Sequence, residues 1–472
     1  MFRKAQRMHL VGIGGSGMSG IAEVLVNLGY PVSGSDLAIN ASTRRLKKLG
    51  ATVHKGHAAG NVSDADVVVI SSAVKEDNPE VIEARRLKIP VIPRAEMLAE
   101  LMRLKYAVAV GGAHGKTTTT AMAAEVMTRG KLDPTVVIGG RVGKLRSGAK
   151  LGGGEMMVVE ADESDGSFLK MKPTIAVVTN IDLEHLDHYA GLDAIREAFI
   201  AFLSRVPFYG VAIVCIDDEH VRAILPRVDR TVHTYGESED ADIRATDIEI
   251  SGFSVSYTAT AFGKQLGRVT LQLPGRHSVA NSLAAVAVGL EFDVPFRTIA
   301  AALKAFGGVD RRLQIRGEAY GATVIDDYGH HPTEIRATLE AIRAAFDGKL
   351  IVAFQPHRYS RTQALLQEFG GSFGLADVVL VTDIYPASER PVPGLDGSTV
   401  AAAIRRHGHD AVRYVADKQD LPERLRELIE PGAIVLTLGA GDIWRAGDTL
   451  VKKGGSRASR RAGRANAGGG SR

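Results

Sequence analysis

Short, wholly apolar runs recur along the chain, each bounded by Gly, Asp or Pro and separated from the next by a helix-length stretch of mixed polarity. The first run, His9–Ile13, overlaps Gly12-Ile13-Gly14-Gly15-Ser16-Gly17 and leads into a helical pattern through Leu28. A second strand leads to Ser33-Gly34-Ser35-Asp36, and Val67–Ile70 is a fully apolar third. The segment closes near Ile89-Pro90-Val91-Ile92-Pro93 and the helical run Glu96–Leu104. A second stretch opens with the strand Tyr106–Val110 and continues through Met156–Val159 and Ile175–Thr179 into a β-rich patch with Phe253–Ala259 and Val269–Leu273. The third has strands at Thr323–Ile325, Leu350–Phe354, Val378–Thr382 and Ile434–Leu438. Strands apolar at every position are buried on both faces, the habit of parallel sheets covered by helices. The pattern predicts three α/β domains with boundaries near 105 and 314.

Composition narrows the class. Of 472 residues, 45% are hydrophobic and 24% charged, which fits a folded globular chain. The single Cys215 excludes a disulfide framework and a Cys-rich zinc site. No apolar run approaches the ~18 residues that span a bilayer. The basic start, Met1 to Leu10, is followed by an apolar stretch cut by glycines and soon reaching Glu23, so it does not read as a signal peptide and a cytoplasmic protein is expected. The net charge of +4 comes from the end of the chain. Residues 451–472 carry Lys452, Lys453, Arg457, Arg460, Arg461, Arg464 and Arg472 and no acid; without them 51 basic residues face 54 acidic ones. This Gly/Ser/Ala/Arg tail reads as a solvated, disordered end, a nucleic-acid or membrane-surface contact being the other reading.

In parallel sheets ligands bind beyond the carboxyl ends of the strands, which makes the residues there informative. Gly111-Gly112-Ala113-His114-Gly115-Lys116-Thr117 follows a strand and opens the helix Thr118–Thr128. A flexible backbone with N–H groups to surround phosphate oxygens, and a helix N-terminus aimed at the same anion, make a P-loop. There Lys116 reaches the β/γ-phosphates of ATP and Thr117 ligates Mg²⁺. Val110 stands where the generic pattern wants glycine, and a glycine-rich strand-to-helix turn is the plainer alternative. Gly12, Gly14 and Gly17 match a dinucleotide fingerprint, with Asp36 about where a ribose-binding acid belongs. That pattern supports a nucleotide at a helix N-terminus, NAD among the options.

Two strands near the P-loop end in acids: Glu160, Asp162, Glu163 and Asp165 after one, and Asn180, Asp182, Glu184, His185, Asp187 and His188 after the other. A Mg²⁺ ion bridging phosphate and carboxylate needs ligands there; helix caps and solvated turns are the bland reading for any single one. The third domain repeats the arrangement without a P-loop. Its strand ends carry Asp326-Asp327-Tyr328-Gly329-His330-His331-Pro332, Gln355-Pro356-His357-Arg358-Tyr359-Ser360-Arg361 and Asp383-Ile384-Tyr385. Arg358 and Arg361, three apart on a turn, form a candidate clamp for a carboxylate or phosphate.

On Gly12–Gly20, Gly112–Thr118, Glu160-Ala161-Asp162-Glu163-Ser164-Asp165, Asp326–Pro332 and Phe354–Arg361, the chain resembles the Mur ligase family, in its alanine-adding branch, from residue 8 to about 450. The resemblance implies a Rossmann-like N-terminal domain (1–105) that binds the UDP of a sugar nucleotide rather than NAD. Gly14, Gly15, Ser16, Gly17, Asp36, His57 and Ser72 are its expected contacts. It implies a central P-loop ATPase-like α/β domain (106–313) in which Gly112, Ala113, His114, Gly115, Lys116, Thr117, Thr118, His277 and Asn281 meet ATP. Thr117, Glu160 and His185 there arrange Mg²⁺, with Mn²⁺ as an alternative. A Rossmann-like C-terminal domain (314–450) is implied to hold L-alanine through Tyr328, His330, Arg358 and Arg361, ahead of the basic tail 451–472. Ser278 stands where the family usually has Asn, and Ala113 where Thr is usual. No lysine occurs from Thr174 to Gly263, which fits the branch without a carbamylated lysine.

The implied reaction is ATP-dependent amide bond formation between L-alanine and the lactyl carboxylate of UDP-N-acetylmuramate through an acyl phosphate, in peptidoglycan precursor synthesis. Lys116, His330, Arg358 and Arg361 are the expected catalytic residues, with His330 positioning or deprotonating the amine. Closure of the third domain over the second predicts a hinge near Gly307–Arg312. The expected partners are the small-molecule substrates, with no nucleic acid and no membrane span, in a monomer or weak homodimer. The rivals are a murein tripeptide-recycling ligase of the same family, an NAD-dependent oxidoreductase, which leaves the P-loop and acids unexplained, and a nucleotide-binding regulator without turnover.

Overall fold

The apolar runs become the central strands of three sheets. In the computed structural model, which describes residues 6–71, 73–103, 105–139, 149–185, 188–387 and 389–454, the first sheet is parallel throughout. Its spatial order is Thr52–Lys55, Val32–Asp36, Met8–Val11, Val67–Ile70, Val91–Pro93. Strand order reverses beside Met8–Val11, and such a switch point opens a crevice at the carboxyl ends. The turn 12–15 and the helix Ser16–Asn27 lie there. Leu10 and Val11 are wholly buried, as a strand covered on both faces requires.

The second sheet has a parallel core in the order Val232–Gly236, Val211–Cys215, Ile175–Val178, Tyr106–Gly111, Met156–Glu160, Thr135–Val137. The P-loop strand therefore runs between the two strands that end in acids. That adjacency turns three separated motifs into one site. Ile243–Ser251, Ser254–Ala261 and Lys264–Leu271 extend one edge, and Ala149–Lys150 pairs antiparallel at the other.

The third sheet runs Gln314–Ala319, Ala322–Asp327, Ile434–Leu438, Leu350–Phe354, Val378–Val381, Val412–Tyr414. Its first pair is antiparallel and the others parallel. The second and third sheets are thus mixed at their edges where the sequence predicts parallel ones. Gln314–Ala319 alternates polar and apolar residues, the signature of a strand with one wet face.

By its internal contacts the chain forms two compact units. One comprises residues up to Ile248 with Ser256–Leu271 and Val279–Val309; the other comprises Glu249–Val255, Gln272–Ser278 and the chain from Asp310 onward. Among the described residues no helix is long and apolar enough to cross a membrane. Ser72, Asp187 and the tail from residue 455 lie outside the described residues.

Candidate active site

The P-loop is built on two glycines that accept no side chain. Gly112 and Gly115 have φ of +135° and +81°. A Cβ would lie 2.0 Å from Thr179 Oγ1 on the first and 2.5 Å from Asn281 Oδ1 on the second. The neighbouring strand end pins the loop: Thr179 Oγ1 and Asn180 Nδ2 donate to the His114 carbonyl (2.6 and 3.0 Å), and His114 N donates to Asn180 Oδ1 (2.8 Å). The His114 ring reaches Asp182 Oδ2 at 2.8 Å. Ala113 is buried, Thr118 lies in the first turn of the helix Lys116–Arg129, and Asn281 accepts a bond from Thr119 Oγ1 (3.1 Å).

Lys116 is held by the loop's own carbonyls and a neighbouring acid. Its Nζ donates to the carbonyls of Gly112 (2.6 Å) and Ala113 (2.9 Å) and to Glu163 Oε1 (2.9 Å). Burial works against the charge, but Glu163, with Asp162 and Glu184 behind it, outweighs burial and raises the lysine pKa. Thr117 Oγ1 donates to Glu160 Oε1 (3.0 Å), and Gly139 N occupies the other oxygen (2.8 Å). Burial pushes the Glu160 carboxyl up, against the pull of Lys116.

The three residues named for the metal therefore fall into two groups. Thr117 and Glu160 are bonded to each other, whereas His185 Nε2 sits 3.5 Å from both Glu163 Oε1 and Glu184 Oε2. Glu163, Glu184 and His185 bring one ligand atom each within 4.8 Å of one another. Glu163 Oε2 is buried without a hydrogen-bond partner, and a buried carboxylate oxygen in that state suits a cation. The donor set fits a divalent ion, its two carboxylates suiting Mg²⁺ or Mn²⁺, while the imidazole is a less usual ligand for either. Glu163 and Glu184 were readable as strand-end acids; their meeting with His185 was not, because it depends on the turn around His185, where φ is +55°.

In the second unit, Asp327 fixes the turn that presents Tyr328 and His330: its carboxylate accepts Gly329 N (2.7 Å) and Leu313 N (2.7 Å). The Arg311 and Arg312 guanidinium carbons lie 4.9 and 5.3 Å from the centre of the Tyr328 ring. His330 Nδ1 is 3.1 Å from the Tyr328 carbonyl and 3.3 Å from Glu334 Oε2. Both are acceptors, so in the neutral ring Nδ1 carries the proton and Nε2 is the basic nitrogen. Arg358 takes φ +68° ahead of the helix Tyr359–Ala364, which carries Arg361; its N donates to the Tyr385 carbonyl (2.9 Å).

These groups converge on His357, which the sequence places in the strand-end string Gln355–Arg361 without a role of its own. Its ring stacks on Tyr385 (5.5 Å, 7°) and lies 5.4 Å from the His330 ring. Its Nδ1 is buried without a partner. Burial, with the charges of His330, Arg361, Arg358 and Arg311, lowers its pKa to about 3. Of the adenine segment, His277 is half-buried in this unit, its pKa lowered by desolvation against the pull of Asp327. The Ser278 hydroxyl, in the first turn of the helix Arg276–Glu291, donates back to the Pro274 carbonyl four residues earlier (2.8 Å).

In the first sheet, Gly14 N donates to Asp36 Oδ2 (2.9 Å), Ala38 N to Asp36 Oδ1 (3.1 Å) and Asn40 Nδ2 to the Gly14 carbonyl (3.0 Å). Asp36 thus braces the glycine turn through Oδ2 and its own following turn through Oδ1. A Cβ on Gly14 would lie 2.7 Å from Asp36 Oδ2, and one on Gly17 1.9 Å from Arg94 Nη1. Gly15 precedes the helix that Ser16 opens, and His57 stands just past the end of Thr52–Lys55.

Three family models match in succession: the Mur ligase family catalytic domain over residues 7–106, the Mur ligase middle domain over 110–289 and the Mur ligase glutamate ligase domain over 311–441. A UDP-N-acetylmuramate–L-alanine ligase of Geobacter sp. (strain M21) is 56% identical over 452 residues, 96% of this chain and 98% of that protein. The crystal structure of a UDP-N-acetylmuramate–alanine ligase from Thermotoga maritima superposes with a TM-score of 0.79 at 30% identity, covering 95% of this chain and 98% of that one. A murein peptide ligase from Psychrobacter arcticus shares the fold, with a TM-score of 0.70 at 23% identity over 95% of this chain and 98% of that one. With its three domain models matched in order along the chain, this protein belongs to the Mur ligase family.

Proposed function

We propose that this protein is an ATP-dependent ligase that joins L-alanine to the lactyl carboxylate of UDP-N-acetylmuramate, acting in the cytoplasm as a monomer or weak homodimer. The observation that carries the reading is the 56% identity over 96% of the chain to an L-alanine ligase. The side chains supply matching chemistry. The carboxylate attacks the γ-phosphorus of ATP, giving ADP and an acyl phosphate; the alanine amine attacks the acyl carbon, and inorganic phosphate leaves as the amide forms. Lys116, released from Glu163, faces the transferring phosphoryl group and offsets the charge that grows on its oxygens. Glu163, Glu184 and His185, with the Thr117–Glu160 couple beside the loop, would hold the Mg²⁺ ion, whose charge neutralises phosphate oxygens. Tyr328, Arg358 and Arg361 orient the amino acid. His330, with Nδ1 directed at Glu334 and a carbonyl, receives the amine proton at Nε2.

Phosphate release from ATP with Mg²⁺ and UDP-N-acetylmuramate, adding L-alanine, glycine, L-serine or the murein tripeptide separately, tests the reading. Release dependent on L-alanine is expected, with Lys116→Met lowering kcat by ~10²-fold or more. Release with tripeptide alone would transfer the assignment to recycling, and the absence of release with every acceptor would remove it. His330→Ala at saturating L-alanine is expected to be slow, and a wild-type rate would end the base role.

A further inference from the structure

The first sheet hides a polar cluster that the ligase chemistry leaves unused. Glu80, in the first turn of the helix Pro79–Arg86, is wholly buried. Its Oε2 accepts Ser35 Oγ (2.5 Å) and lies 3.2 Å from His57 Nδ1. Its Oε1 accepts Asn61 Nδ2 (2.5 Å) and Ala58 N (3.4 Å), with His9 Nε2 at 3.7 Å. A buried carboxylate costs several kcal/mol unless such partners surround it. Burial alone would raise its pKa, yet the facing His9, Ser35 and Asn61 hold it at about 2, so it is ionised.

Counting protons then fixes a tautomer. An ionised carboxylate only accepts. The single Ser35 hydroxyl proton goes to Glu80, so the Ser35 oxygen has only lone pairs to offer His57 Nδ1, 2.9 Å away. Nδ1 faces acceptors on both sides and must carry hydrogen. In the neutral ring the lone pair therefore sits on Nε2, which has no hydrogen-bond partner among the described residues, on a side chain 17% exposed. His57 stands beyond the end of Thr52–Lys55, whose Lys55 pairs with Asp36, so it shares the rim of the glycine turn.

We propose that Glu80 is a positioning residue for nucleotide binding: it locks neutral His57 as the Nδ1–H tautomer, so that Nε2 accepts a hydrogen bond from a donor on the bound uridine nucleotide, the base imide N–H or a ribose hydroxyl. This rests on the reading that the first sheet binds the UDP moiety.

Two-bond ¹H–¹⁵N correlation spectra of the full chain labelled with [¹⁵N]histidine test it, with His57 assigned by its loss in His57→Gln. The expected wild-type pattern is a neutral Nδ1–H ring whose Nε2 shift moves on adding UDP. 3-Methyl-UDP abolishes the movement if the imide is the donor, and 2′-deoxy-UDP does so if that ribose hydroxyl is. Glu80→Gln should raise the KM for UDP-N-acetylmuramate by ~10-fold or more, the scale of a charge-assisted hydrogen bond, while kcat and the KM for ATP stay within about twofold of wild type. An Nε2–H or imidazolium pattern with UDP bound overturns the proposal, as does an unchanged KM in folded Glu80→Gln. UDP that binds without moving His57 also overturns it, whereas no UDP binding at all overturns the reading beneath it. Should Glu80→Gln fail to fold, the wild-type spectra decide alone.

Discussion

Replacing Arg311 by methionine removes a guanidinium whose Nε donates to Asp326 Oδ2 (3.0 Å) and whose Nη atoms reach the carbonyls of Gly439 (2.6 Å) and Gly441 (3.0 Å). Asp326 is fully buried and keeps a bond from Thr437 Oγ1 (2.7 Å). Burial already pushes its carboxyl up, and Arg311 is the cation that pulls it back. Breaking a buried pair from one side costs about 3–5 kcal/mol. The Arg311 side chain is 21% exposed, so the low end, about 3 kcal/mol, is expected here. At about 2–4 °C per kcal/mol for a unit of this size, the melting midpoint should fall by roughly 6–12 °C. The assay is built in: Trp444, the single tryptophan, lies on the helix Trp444–Gly454 of the same unit, and its fluorescence follows that unit. Asp326→Asn in the Arg311→Met background should recover part of the loss, because it removes the unpaired charge. A shift below about 2 °C, or a double-mutant coupling below about 1 kcal/mol, would refute the argument.

Gly115→Ala forces a left-handed φ of +81° on alanine and drives its Cβ toward Asn281 Oδ1; ADP affinity by calorimetry should fall ~10-fold or more, and an unchanged affinity would show that the loop yields. His357 contributes a pH dependence. The unfolded chain protonates it near its ordinary pKa, while the native chain refuses the proton down to about 3. The unfolded state thus binds more protons between those values, and stability falls as pH drops through the window by at most about 1.4 kcal/mol per pH unit. His357→Gln should flatten the Trp444 unfolding midpoint between pH 6 and pH 4 relative to wild type (about two pH units of slope), and parallel profiles would contradict the burial argument.

Much of the α/β architecture was legible because parallel strands buried on both faces must be apolar at every position. Ile175–Val178, Leu350–Phe354 and Val378–Val381 advertise themselves without knowledge of their neighbours. The P-loop was legible because backbone that surrounds phosphate needs glycine at fixed places. Edge strands were not: Ala149–Lys150 is two residues long, and Gln314–Ala319, alternating polar and apolar residues, lacks the continuous apolar run that marks the central strands. The polar groups hidden longest are those whose partners are distant in sequence. Glu80 sits among Glu83, Arg85 and Arg86 on the helix Pro79–Arg86, and only the fold shows that it points inward to His57 and Ser35. His185 likewise gains its meaning from Glu163, 22 positions away across two strands.

The division of the chain into units bears on how it can be cut. The stretches Glu249–Val255 and Gln272–Ser278 belong by contact to the second unit although both precede the junction at Val309–Asp310. Phe253 from the first stretch packs on Phe346, ring centres 5.8 Å apart, and both line the core built on Ile335, Leu339 and Leu350. Gly275 from the second lies so near the helix Pro332–Ala345 that a Cβ would stand 2.7 Å from the Ala341 methyl. A gene fragment beginning at Asp310 would therefore encode an amputated body with the Phe346 face bare to water, a surface that invites self-association. For this protein the shortest sequence that keeps the second unit intact starts at Glu249, so expression of separate modules has to respect contact rather than linear order.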